Sequence, residues 1–156
     1  MVVRSDLALA GTEPAQPAVE NEPSHRLRTV VVDDSETFLE VTCELLDFED
    51  VIDLVAAASD GVEAISTVAR LKPALVLMDV FMPGLDGLAA TALLAEMSPP
   101  PSIVLMSSED TPQLRSDCFR AGAFDFVYKP NFREEFEAVL QRLLKRGSRC
   151  PSQKTA

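Results

Sequence analysis

Short apolar runs alternate with amphipathic stretches through the middle of the chain, and the alternation repeats five times. Leu27–Val32 reads as a strand. From Ser35 to Leu46, the side chains of Phe38, Leu39, Val41, Leu45 and Leu46 share one broad helical face, with Ser35 placed as the N-cap. Asp53–Ala58 reads as a second strand. Asp60-Gly61-Val62-Glu63 resembles a capping box opening a helix in which Ala64, Ile65, Val68 and Leu71 point one way until Lys72-Pro73 ends it. Ala74–Met78 is a near-continuous apolar strand, as expected where both faces are buried, and an Ala/Leu-rich helix over Leu88–Met97 is stopped by Ser98-Pro99-Pro100-Pro101. Ile103–Met106 is the fourth strand, Thr111-Pro112 the N-cap and first position of a helix to Ala121, and Phe124–Tyr128 the fifth strand. Phe132, Phe136, Val139, Leu140, Leu143 and Leu144 then stripe a last helix.

Five strand–helix units in succession predict an α/β domain, a doubly wound parallel sheet with helices on both faces, because right-handed crossovers cover each strand twice. Residues 1–26 are rich in Ala, Pro and Glu without a sustained period and are expected to form a flexible leader. Lys145-Arg146 followed by Gly147 is a helix stop, which leaves 147–156 as a polar, flexible tail and 27–146 as the folded domain. At 156 residues the chain has room for one domain of ordinary size, so no separate output module is expected.

Charge narrows the partners. Fourteen Lys and Arg stand against 25 Asp and Glu, a net charge of −11, and the excess lies within 27–146. Such a domain repels a nucleic acid duplex or an anionic membrane. Three cysteines, Cys43, Cys118 and Cys150, have neither disulfide nor zinc spacing, and the single histidine, His25, lies in the leader. No apolar stretch approaches the length of a membrane span, and Leu7–Ala10 is too short for a signal peptide, so a cytoplasmic location is the expectation.

In open sheets of this kind the reactive groups follow the carboxyl ends of the strands. Asp33-Asp34 follow the first strand, Asp79 the third, Ser107-Ser108 the fourth and Lys129-Pro130 the fifth. Carboxylates converging on one crevice take up protons or bind a hard cation, and an all-oxygen donor set favours Mg2+ over zinc or copper. Asp79 is then a candidate nucleophile that forms an acyl phosphate. The added negative charge calls for a fixed cation and a hydroxyl donor, places that Lys129 and Ser107 fit.

The segments VVVDDSETFL (Val30–Leu39), LVLMDVFMPGLDG (Leu75–Gly87), IVLMSSED (Ile103–Asp110) and AGAFDFVYKP (Ala121–Pro130) together resemble the receiver domain of two-component response regulators, stand-alone and chemotaxis-regulator-like, over essentially all of 27–146. The resemblance implies a flavodoxin-like (βα)5 fold of strand order 2-1-3-4-5. It implies Asp79 as phosphoacceptor, with Asp34, Asp79 and the backbone carbonyl of Phe81 as direct magnesium ligands and Asp33 acting through water. Ser107 would bind a phosphoryl oxygen, Lys129 would pair with the phosphoryl group, Phe126 would be the aromatic switch, and the Lys129-Pro130 peptide would be cis. The implied partners are a sensor histidine kinase or a histidine phosphotransfer protein and an output protein that reads the face from Pro112 to Arg146, with a phosphorylation-dependent homodimer as a further option. Two other roles within the family are a phosphorelay intermediate and a non-phosphorylated pseudo-receiver acting by contact alone. A phosphatase of the haloacid dehalogenase type needs an acid two residues after its nucleophile, and Phe81 stands there instead.

Overall fold

A computed structural model describes residues 26–147. The leader and tail, with His25 and Cys150, lie outside the described residues, apart from Arg26 and Gly147. The strands are β1 (Leu27–Val32), β2 (Ile52–Ala58), β3 (Leu75–Asp79), β4 (Ser102–Ser107) and β5 (Asp125–Tyr128). The helices are α1 (Glu36–Asp47), α2 (Gly61–Leu71), α3 (Gly87–Leu94), α4 (Pro112–Ala121) and α5 (Phe132–Gly147), with a 3-10 turn at Lys129–Asn131 between β5 and α5. All neighbouring strands are parallel, in the order β2-β1-β3-β4-β5.

Successive strand residues face opposite sides, which divides the core into two layers. Val30, Val32, Val76, Met78, Leu105 and Phe126 pack with Ala64, Val68, Ala90, Leu94 and Leu114 of α2, α3 and α4. Val31, Leu75, Leu77, Val104, Met106 and Val127 pack on the other side with Leu46 of α1 and Phe132, Phe136, Val139 and Leu143 of α5. Every residue of β3 is buried, the reason its sequence is apolar without alternation up to Asp79.

Side chains at the helix starts satisfy the free N–H groups there. Ser35, Asp60, Asp86 and Thr111 accept from the backbone N–H of Phe38, Glu63, Ala89 and Leu114. Glu63 reaches back to the backbone N–H of Ser59, at 2.8 Å, one residue before the cap. α3 ends at Leu94 with Ala95 as its C-cap, earlier than the apolar pattern to Met97 suggests, and the chain leaves the helix through turns before reaching Pro99-Pro100-Pro101. The Lys129-Pro130 peptide is not cis; among the described residues the cis peptide is Ser98-Pro99. A trans Pro130 suits the fixed backbone angle of the 3-10 turn, whose continuation places the N–H of Phe132 on the carbonyl of Lys129.

Gly87 decides how the β3–α3 loop closes. Its N–H donates to the Val80 carbonyl at 2.8 Å, and a methyl group built at its Cα would overlap the Asp79 carbonyl oxygen and crowd Val80. Gly87→Ala is therefore expected to destabilise the fold by about 1–3 kcal/mol through overpacking against backbone that cannot yield freely. Urea denaturation checks this, and amide shifts at Asp79 and Val80 should move with it.

Candidate functional site

Register brings the strand-end residues together. Val32 pairs with Met78 and Asp79 with Met106, so Asp33 and Asp79 follow side by side on adjacent strands. Ser107 pairs with Tyr128, which places Lys129 one residue further on. β1 and β3 are neighbours at the point where the strand order reverses, the place in such sheets where a crevice opens between the connecting loops.

Asp33 is fully buried and Asp79 is 6% exposed, while Asp34 is exposed. One carboxylate oxygen from each of the three lies within 4.8 Å of the others. Asp33 Oδ1 accepts from the N–H of Ser35 at 2.8 Å, a bond that fixes its carboxylate at the mouth of α1. The Lys129 ammonium is the counter-charge: its Nζ is 2.6 Å from Asp33 Oδ2 and 3.2 Å from Asp79 Oδ1. It also stands 4.3 Å from the centre of the Phe38 ring, a cation–π contact. Phe38 in turn meets Phe132 edge to face.

Burial pushes the Asp79 carboxyl up to about 6, a rise that Lys129 opposes and that the negative charges of Asp33 and Asp34 reinforce. Neutral pH then leaves it mostly ionised but poorly compensated.

Ser107 is buried at the end of β4, and its Oγ accepts from the N–H of Glu109 at 3.0 Å, which leaves the hydroxyl proton free to donate. Phe81, two residues past Asp79, has a ring more than half exposed. Phe126 lies in the core at 2% exposure, so this residue, named as the switch, has its ring turned inward. The Arg115 guanidinium lies over that ring at 4.7 Å. Arg115 also grips both oxygens of Asp110, at 2.6 and 2.9 Å, and comes within 4.0 Å of Glu135 Oε2, which accepts from the N–H of Tyr128 at 2.8 Å. Arg115 thus connects the β4–α4 loop, β5 and α5. Sequence reasoning misses Arg115, because nothing in its helical spacing announces a partner on another strand. Phe38 is legible only as part of the apolar face of α1, and its role as a wall for Lys129 emerges from the packing of α1 against the β5–α5 connection.

A response regulator receiver domain model matches residues 29–141, and the chain belongs to that family. Among curated relatives, it is 33% identical over 119 residues to a protein-glutamate methylesterase/protein-glutamine glutaminase of Methanococcoides burtonii, covering 76% of this chain and 34% of that protein. The chain spans about a third of the length of the relatives of this kind that it matches. Among solved structures, the signal receiver domain of the response regulator NarL from Mycobacterium tuberculosis is similar with a TM-score of 0.71 and 30% identity, covering 76% of this chain and 97% of that one. The response regulator domain of Thermotoga maritima CheB gives 0.68 and 30%, covering 77% and 95%. The protein is a receiver domain of the two-component type, with the five-stranded order 2-1-3-4-5 of its neighbours.

Receiver domains bind Mg2+ at an acidic pocket, and the donor set here fits such an ion. All the donors are oxygen, three carboxylates converge, and the buried Asp33 Oδ2 has no hydrogen-bond partner, only the nearby ammonium of Lys129. Among the described residues no helix is long and apolar enough to cross a membrane.

Proposed function

We propose that this receiver takes a phosphoryl group on Asp79 from a histidine kinase or a histidine phosphotransfer protein, and that its output is a protein contact made by the α4–β5–α5 face. The observation that carries the reading is the meeting of Asp33, Asp34, Asp79 and Lys129 at the switch point of the sheet. The domain responsible is 27–146, acting in the cytoplasm.

Asp33, Asp34, Asp79 and the Phe81 carbonyl would hold magnesium, Asp33 through water, and the ion would supply positive charge to offset that of an arriving phosphoryl group. The chain's own residues do the rest. An ionised Asp79 oxygen attacks phosphorus, the P–N bond to histidine breaks as the O–P bond forms, and the departing imidazole takes up a proton. Lys129, already beside Asp79, pairs with the negative charge that arrives. Ser107 supplies its free hydroxyl proton to a phosphoryl oxygen. Movement of Ser107 would be felt by Glu109, whose N–H it accepts, and from there by Asp110, Arg115 and the ring of Phe126. The α4–β5–α5 surface built on those residues is the element whose equilibrium the phosphoryl group biases, by a coupling typically of about 1–3 kcal/mol.

Incubation with acetyl phosphate tests this. Intact mass should show one added phosphoryl group that requires magnesium and is absent in Asp79→Asn. An unlabelled wild-type protein would overturn the reading in favour of a receiver that acts without phosphorylation, and return of the label to a histidine protein would mark a relay intermediate.

A further inference from the structure

The pole of the sheet opposite Asp79 carries a second concavity. A cavity of about 560 Å³ opens between the start of β1 and the C-terminal ends of α2 and α3. Its lining includes the apolar Val68, Pro73, Met97 and the run Pro99–Pro101 and the cations Arg26, Arg28 and Lys72. Its size and lining are those of a small-molecule site: a largely apolar hollow with a few convergent polar groups, held rigid by four prolines.

Three cations line this one cavity. The chain carries a net charge of −11, yet among the described residues none of the three has a carboxylate within ion-pair distance, so their charge is not spent on a neighbouring side chain. Main-chain bonds account for only part of them. Arg28 donates one Nη1 bond to the Leu71 carbonyl at the end of α2, and Arg26 donates from Nε to the Asp50 carbonyl, and among the described residues no other group takes their remaining guanidinium N–H groups. Lys72 is the sharper case. It caps α2 in the left-handed conformation, with φ of 48°, a position where glycine is favoured and a side chain is strained.

We infer that this cavity binds a small amphipathic anion, an apolar body lying against the proline wall with a phosphate, sulfonate or carboxylate group held by Arg26, Arg28 and Lys72. The site shares no residue with the Asp79 cluster, and the inference stands whether or not Asp79 is phosphorylated.

The test is a titration of the 15N-labelled full chain, followed by amide shifts, with three separate probes: anilinonaphthalene sulfonate, adenosine monophosphate and octanoate. Saturable shifts should centre on Lys72, Ala74, Met97 and Ser98, and the best of the probes should bind at least about 10-fold more weakly to Lys72→Gly and to Arg26→Gln, since a charge-assisted contact is worth that much or more. Lys72→Gly also relieves the left-handed strain, so its melting temperature should not fall, which separates lost binding from lost folding. Preference for the nucleotide or for octanoate identifies the natural source as a phosphate or a carboxylate amphiphile. The absence of saturable shifts at this pole with all three probes, or equal affinity in wild type and both variants, would overturn the proposal.

Discussion

Asp79→Asn is expected to be more stable than the wild-type protein at pH 7.5 in the presence of a chelator, by about 2–3 kcal/mol, while taking up no phosphoryl group. The Asp79 carboxyl is raised to about 6 in the folded protein by burial, with Asp33 and Asp34 adding to the rise, and in the unfolded chain it returns to the ordinary value near 4. Below pH 4 the carboxyl is protonated in both states and costs nothing. Between pH 4 and 6 the unfolded chain loses its proton while the folded chain keeps it, so stability falls as pH rises. Above pH 6 the loss is complete, at roughly 1.4 kcal/mol for each unit of difference. The amide of Asn carries no charge at any of these pH values and keeps the shape of the side chain. The gap between variant and wild type should therefore open across pH 4–6 and vanish below it, as read by urea denaturation at a series of pH values. A gap that does not depend on pH would assign the stabilisation to packing instead of charge. Added magnesium should narrow it by stabilising the wild type, since a ligand that binds only the folded state does so by mass action.

Lys129→Ala is expected to act in the opposite direction, with a loss of about 3 kcal/mol at pH 7.5. Its ammonium lies 2.6 Å from Asp33 and 3.2 Å from Asp79, with 11% of the side chain exposed, and removing one partner of a buried pair leaves the other charges uncompensated. The loss is limited because Asp79 escapes by taking a proton, which pushes its carboxyl still higher. It should shrink as pH falls through about 6, where wild-type Asp79 is itself protonated and its share of the pairing is gone. The pairing with Asp33 and the contact with Phe38 remain, so some difference persists. The double variant Asp79→Asn with Lys129→Ala should lose less than the sum of the separate changes predicts, the mark of direct coupling. Labelling of Lys129→Ala by acetyl phosphate should be separable from the protection of α4 and α5 amides against exchange, because in the proposed mechanism Lys129 would connect the phosphoryl group to the β5–α5 segment.

Much of the fold was legible because its determinants are local. A helix declares itself by which residues recur at its own period, and Ser35, Asp60 and Thr111 act as the caps that pattern names. A strand buried on both faces must be apolar throughout, as β3 is, and the first polar residue after such a run stands where the layer of helices ends. Asp33, Asp79, Ser107 and Lys129 could be found in that way, and register does bring them to one end of the sheet. The cis peptide expected at Lys129-Pro130 was misplaced, because the choice of isomer depended on the 3-10 turn that carries β5 into α5.

The sequence by itself determined the order of elements, the two-sided burial of the sheet and the residue types at the strand ends, all of which follow from periods of two and 3.6 residues and from turn chemistry. Only the tertiary structure decided that Lys129 lies nearer Asp33 than Asp79, that Phe38 walls it in, that Arg115 covers Phe126, that Gly87 seats against Asp79, and that three cations line a cavity at the far pole. Most of these contacts join elements from different parts of the chain, and their geometry depends on which strands are neighbours and in what register. A burial-raised carboxyl such as that of Asp79 has the same origin, since its value belongs to the surroundings assembled by the fold and not to the residue.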